Sequence, residues 1–287
     1  MIKCTNNRGE AITFRDSFPF FLESYEGIHE MATVIHTSPT ASGKGTVYGG
    51  ITYSERVITL TIKTTRKNIL DKRLELEEMF YGGSTGTLLY KEEEYEREID
   101  YRTSSVDIMR PSNDPLWAFL IVLTCPYPFF RETKDTIITQ SGDLFEFPFY
   151  VNDFVIGGDE GLLTINNKSV ETGMIFELTL TNTSQWRQGT IGLQNTETGE
   201  RFYAFAGGGA QGQNFDFKKI TVDTRTNKKT ATYVDRVTGE TKGLPYRADS
   251  TFLQIRNGMN YFKSISDSDG LTPVEAKIIF RKEYNLA

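Results

Sequence analysis

Period-two alternation of apolar and polar positions dominates this chain. Residues 47–65, VYGGITYSERVITLTIKTT, alternate in this way and are rich in Val, Ile, Thr and Tyr, the pattern of a half-buried strand. The pattern recurs in GMIFELTLTN (173–182), KKITVDT (218–224), KTATYVDRV (229–237), STFLQIRN (250–257) and VEAKIIFRKEY (274–284), with turn formers such as TETGE and DRVTGE between strands. One segment departs from it. In RKNILDKRLELEEMFYGG (66–83), Ile69, Leu76, Met79 and Phe80 share one face at helical spacing, with Leu70 and Leu74 on its flank. Asn68 and Asp71 suit the start of that helix and Gly82-Gly83 its stop. After it, STGTLLYKEEEYEREIDYRT (84–103) predicts a β-hairpin with an acidic tip. The expectation is a mainly β protein with one α-helix and a long hairpin.

The most apolar run, WAFLIVLTC (117–125), ends abruptly in PYPFF, where Pro126 and Pro128 flank a tyrosine and Phe129 and Phe130 follow. Proline ends ladder pairing and fixes the backbone, so this elbow suits a domain boundary. Before it lie the helix and both histidines; after it come short strands separated by Gly, Asn, Asp and Thr turns, the pattern of a β-sandwich. The expected domains are therefore 1–132 and 133–287, a division that suits a chain of 287 residues.

Composition narrows the function classes. The formal charge of −6 argues against affinity for nucleic acid or anionic lipid, which needs clustered Lys and Arg. Cys4 and Cys125 stand far apart without a metal-ligand spacing, so free thiols in a reducing compartment are expected. The N-terminal MIKCTNNRGE has no apolar export signal, and the 117–125 run is too short to span a membrane.

Candidate chemistry is sparse. SPTASGKGT (38–46) resembles the end of a phosphate-binding loop, but Ser38 stands at the first glycine position, Gly45 follows the lysine, and a strand comes next; a surface loop is the better reading. His29 and His36 have no nucleophile or metal partner at a recognisable spacing. The carboxylates of KEEEYEREID read as a solvated hairpin tip, and AGGGAQGQ (206–213) as a mobile loop. Trp186 is a candidate to stack on a sugar or anchor a protein partner, against partial burial under its own loop. The sequence offers no catalytic set, no metal site and no cofactor site.

Taken in order, the features resemble the distal tail (Dit) proteins of long-tailed bacteriophages. LIVLTCPYPFF (120–130) resembles the elbow that closes that family's N-terminal domain. LLTINNKSVETGMIFELTLTNTS (162–184) resembles the entry to its second domain, with Lys168 and Ser169 where Gly and Asp are more usual. IGLQNTETGERFYAF, KKITVDTRTNKKTATY, LQIRNGMNYFKSI and VEAKIIFRKEY resemble its later strands. The resemblance implies a β-sandwich-like N-terminal domain and a galectin-like C-terminal β-sandwich. It further implies a hexameric ring stacked on the tail tube of the virion and assembled in the host cytoplasm. Implied partners are the chain itself, the tail tube protein, the tape-measure protein, a tail-tip or tail-associated lysin and receptor-binding proteins, with DNA passing through the lumen without specific binding. The elbow, Pro126, Pro128, Phe129 and Phe130, would end the ring-forming domain and set how the outer sandwich leaves it. The helix and the 84–103 hairpin would lie at subunit contacts. The alternative is a carbohydrate-binding module using Trp186, although the constellation of a lactose-binding galectin is not recognisable here. An enzyme such as a wall hydrolase lacks an acid, base or nucleophile set.

Overall fold

The computed structural model describes every residue except 32, 43, 66, 68, 110–115, 142–161, 180–188, 207–216 and 267–274. It is mainly β, with one helix among the described residues, as the alternation requires. In chain order the first ten strands are β1 (Ile2–Asn6), β2 (Ala11–Phe14), β3 (Phe21–Glu26), β4 (Thr33–Pro39), β5 (Thr46–Tyr53), β6 (Arg56–Thr65), β7 (Thr85–Glu92), β8 (Tyr95–Met109), β9 (Leu116–Cys125) and β10 (Phe130–Glu132), with α1 (Ile69–Met79) between β6 and β7. They are followed by β11 (Thr136–Ser141), β12 (Leu162–Asn167), β13 (Thr172–Thr179), β14 (Gly189–Asn195), β15 (Arg201–Ala206), β16 (Phe217–Asp223), β17 (Thr230–Asp235), β18 (Thr241–Gly243), β19 (Gln254–Ile255), β20 (Gly258–Ser266), β21 (Glu275–Phe280) and β22 (Glu283–Tyr284).

Contacts divide the chain into two units, Met1–Thr133 with Glu283–Ala287, and Lys134–Lys282. The last five residues thus group with the first unit, although the sequence placed them with the second half. The cause is pairing: β22 adds to β10, with Phe130 opposite Tyr284 and Arg131 opposite Glu283.

The first unit is built on one antiparallel sheet in the order β2-β1-β7-β8-β9-β6-β3, to which β10 and β22 attach beside β8. Its two ends approach each other, since Arg15 after β2 bridges Phe21 at the start of β3, and Leu22 N donates to Arg15 O at 2.6 Å. Buried side chains from β1, β2, β6, β7, β8 and β9 therefore face one common core, closed by Leu76, Met79 and Phe80 of the helical segment. The helix buries Leu76 and Met79 as its spacing predicts, but Leu70 and Leu74 remain 70% and 55% exposed. Asn68, expected to help start the helix, lies outside the described residues. Gly83 adopts φ +81 after the helix, a backbone state that glycine enters without Cβ strain.

The second unit has two sheets, β11-β21-β13-β16-β17-β18 with β19 beside β13, and β12-β20-β14-β15. One core collects side chains of both, among them Phe176, Ile220 and Ile278 from the first and Leu193, Phe202 and Phe262 from the second. This is the sandwich that alternating short strands lead to: each sheet has one apolar face, and the two faces cover each other.

Candidate assembly site: the aromatic elbow and an uncovered hairpin

The elbow residues lie together and do different jobs. Pro126 and Pro128 follow β9, whose last residue, Cys125, pairs with Arg56 at the start of β6. Phe130 is fully buried in the core of the first unit. Phe129 instead packs edge-on against Tyr53, at 4.9 Å between ring centres, and against Tyr127, at 5.2 Å. The Tyr127 hydroxyl donates to the Glu283 carboxylate. Successive residues of one stiff segment thus hold the core, the root of β5 and the C-terminal strand.

Arg56 is the residue that sequence reasoning missed. It is only 3% exposed. Its Nε donates to Pro128 O at 2.8 Å, its Nη1 to Gly27 O at 2.7 Å, Ile28 O at 2.9 Å and Glu30 O, and its Nη2 to Asn285 O. The guanidinium also lies over the Phe130 ring, 5.0 Å from its centre. These acceptors are main-chain carbonyls rather than carboxylates, and burial pulls its pKa below the usual arginine value. The loop it grips needs Gly27, at φ +79: a Cβ there would come within 1.9 Å of the Val57 carbonyl oxygen. A polar residue at the end of an alternating strand gave no hint of this, because its partners come from three distant parts of the chain.

The β4–β5 hairpin rises from this root. Among the described residues its strands pair only with each other, and nearly every residue in it is exposed. Its register places Thr33 opposite Tyr53, Ile35 opposite Ile51 and Thr37 opposite Tyr48. Directly paired residues share a face, so Tyr53, Ile35, Ile51 and Tyr48 form one apolar surface. Ile35 and Tyr48 are 59% and 62% exposed. Alternation over residues 47–65 predicts one half-buried strand, but residues 47–53 belong to a two-stranded ribbon that, among the described residues, no layer covers beyond the Phe129 ring against Tyr53.

The other candidate groups are placed as follows. Residues 38–46, apart from undescribed Gly43, form the tip of this hairpin, where Thr40 Oγ1 donates to Lys44 O at 2.9 Å; no helix follows. His36 contacts Thr52 Oγ1 through Nε2 at 2.9 Å on the same hairpin. His29 Nε2 lies 3.3 Å from the Tyr90 hydroxyl, which donates to Glu92 at 2.7 Å, in a cluster with Tyr25. The 84–103 hairpin forms as β7 and β8, within the sheet. Its carboxylates are more than solvated: Arg131 holds Glu98 at 2.8 Å and grips Asp100 with two bonds of 2.6 Å. Among the described residues no three His, Cys, Asp or Glu side chains are grouped to hold a metal ion. Trp186 and residues 207–213 of the glycine-rich stretch lie outside the described residues.

No family model matches the chain, and neither does any curated protein sequence. Solved structures do. The Dit protein of phage SPP1, described as a paradigm of the hub adsorption apparatus in phages infecting Gram-positive hosts, matches with a TM-score of 0.62 at 10% identity, over 99% of each chain. Chains of the phage P2 baseplate in its activated conformation match with TM-scores of 0.55, in the structure with calcium, and 0.53, in that with strontium. Each is 10% identical and covers 100% of this chain and 99% of the other. From one end to the other, the protein has the fold of a phage Dit hub protein.

Proposed function

We propose that the protein is a structural hub of a phage tail tip, whose first unit associates with further copies of itself into a closed ring. Support for the tail-tip role comes from the shared fold. Support for self-association comes from one observation above all, the uncovered apolar face of the β4–β5 hairpin. A ribbon carrying Ile35, Tyr48 and Ile51 in water is a liability unless a partner covers it. A head-to-tail contact between identical chains that closes on itself is a ring, six-membered on this reading. The elbow anchors both the hairpin root and the C-terminal strand, so it fixes how the chain leaves the ring-forming unit. The tail tube, the tape-measure protein, a tail-tip protein and receptor-binding proteins are the partners this role entails, with the virion tail tip as its location.

The test is light scattering on the purified chain and on Ile35→Asp and Ile51→Asp. The wild type is expected as a multimer and both variants as smaller species with unchanged circular dichroism. A wild-type monomer, or multimers indifferent to both substitutions, would remove the hairpin from this role.

A further inference from the structure

Asn257-Gly258 is the only Asn-Gly step in the sequence. It stands in the turn between β19 and β20, where Asn257 is exposed. Gly258 holds φ +98, a backbone state that favours glycine, and apart from its chain neighbours no heavy atom lies within 4 Å of where its Cβ would stand. Space around the step is therefore open. The Asn257 side chain is anchored at one end, since Nδ2 donates to Ser169 O at 2.7 Å. Ser169 is buried in the turn from β12 to β13, where its N donates to Asn167 Oδ1 at 3.1 Å. One amide thus ties two turns of the second unit together.

The buried asparagines are shielded by comparison. Asn260, in the same segment, uses Oδ1 to accept from Arg256 N at 2.9 Å and Nδ2 to donate to Arg256 O at 2.8 Å and Gly258 O at 3.0 Å. Asn6, Asn167 and Asn195 are buried as well, and each is followed by a residue with a side chain, Asn7, Lys168 and Thr196. A side chain at the following position crowds the backbone nitrogen beside an asparagine amide, whereas glycine leaves that nitrogen open. Exposure and an unhindered neighbouring nitrogen coincide at Asn257.

We infer that Asn257 is a site of spontaneous covalent modification, converted to aspartate and isoaspartate through a succinimide. The Gly258 nitrogen attacks Asn257 Cγ, so a new C–N bond forms and the Cγ–Nδ2 bond breaks. The amide nitrogen leaves as ammonia, taking the proton that Gly258 N gives up. Water then reopens the ring at Cγ, giving aspartate, or at the main-chain carbonyl carbon, giving isoaspartate; nothing is oxidised or reduced. The bond to Ser169 O has to break as ammonia departs, so the folded turn slows the step relative to a free peptide. A carboxylate at this position cannot donate to Ser169 O, and the tie between the two turns is lost. Isoaspartate also adds a methylene to the backbone beside the Asn167–Gly258 pair that begins the β12–β20 ladder. The site lies wholly in the second unit and stands independently of the ring reading.

The test holds the full-length chain at mildly alkaline pH in heavy-oxygen water, beside the synthetic peptide QIRNGMNYFK (254–263). Digestion in ordinary water and tandem mass spectrometry then follow every asparagine. Heavy oxygen is expected at Asn257 ahead of every other asparagine of the chain, as a mixture of aspartate and isoaspartate, and more slowly than in the peptide. Asn257→Asp carries one product from the outset and should exchange its Ser169 amide faster than wild type. An Asn257 still unmodified when the peptide is fully converted, label appearing first at another asparagine, or equal Ser169 exchange in Asn257→Asp would overturn the inference. None of these readouts depends on the oligomeric state measured by light scattering, so the two readings fail separately.

Discussion

The Arg56 guanidinium covers the Phe130 ring at 5.0 Å while its Nε holds Pro128 O at 2.8 Å, so one buried cation fixes both ends of the Pro128–Phe130 step. The same side chain reaches Gly27, Ile28 and Glu30 on one side and Asn285 on the other. Removing it leaves several buried carbonyls without a donor. Arg56→Met is expected to destabilise the first unit by about 3 kcal/mol or more, because each lost bond to a charged donor carries about 1.5–3 kcal/mol. Arg56→Lys should recover little, since an ammonium cannot present the planar fork. Denaturant unfolding with a probe in the first unit checks both, and a loss under 1 kcal/mol for Arg56→Met would contradict the clamp.

Phe130 and Phe129 are neighbours with opposite duties. Phe130→Ala should cost about 3–5 kcal/mol of stability, as expected for emptying a filled core site. Phe129→Ala should cost much less stability but loosen the hairpin root at Tyr53. Hydrogen exchange of β4 and β5 amides, faster in Phe129→Ala than in wild type, is the check; equal exchange would separate the hairpin from the elbow.

The two thiols provide a clock for opening of the first unit. Both Cys4 and Cys125 are buried and free. Burial pushes the Cys125 thiol up to about 12 and raises Cys4 still further. At pH 8 neither is a thiolate in the folded chain, so a disulfide reagent should report almost nothing until the unit opens. Two thiols should then appear together, and sooner in Arg56→Met and Phe130→Ala. Prompt labelling of the native wild type would contradict the burial of these strands.

In the second unit, Asp235 caps the turn between β17 and β18. Thr238 N at 3.0 Å, then the Lys242 ammonium at 3.0 Å and Val237 N at 2.9 Å, draw its pKa down to about 2. A carboxylate depressed in the folded state contributes stability above its unfolded value near 4, and that contribution fades as pH falls towards 2. Asp235→Asn should therefore show a shallower loss of stability than wild type between about pH 4 and 2. The difference will be modest because the pair sits at the surface, with 40% of the Lys242 side chain in solvent. Parallel acid curves would assign the turn's stability to other groups.

Much of this fold was legible from alternation. Within the stretches read as strands, a helix and a hairpin, the strands β13, β16 and β17, the helix Ile69–Met79 and the β7–β8 hairpin form, because each has a face that a neighbouring element covers. The order of its motifs pointed to the Dit fold, which the chain has at 10% identity. The misses share a cause. Alternation shows that a strand has two faces but not what covers them, so residues 47–53 look half-buried in sequence, whereas among the described residues only the Phe129 ring meets their apolar face, at Tyr53. Residues 250–257 read as a strand, yet only Gln254–Ile255 pairs in a ladder. The segment before them instead runs past β15 by separate bonds, such as Thr251 N to Arg201 O at 2.8 Å. Arg56 was invisible because its five acceptors are main-chain atoms, which carry no side-chain signature, and they lie 26 to 229 residues away. The turn at 196–200 was legible as a turn, but only the fold brings its Glu200 to Arg256.

The measurement that bears most directly on the hub reading is negative-stain electron microscopy of the purified full-length chain, at a concentration where light scattering on the same sample gives its mass. The account predicts closed rings with a central hole and six-fold symmetry, lost when Ile35 and Ile51 are replaced by aspartate. Single particles of monomer mass at every concentration, with the hairpin intact, would contradict it.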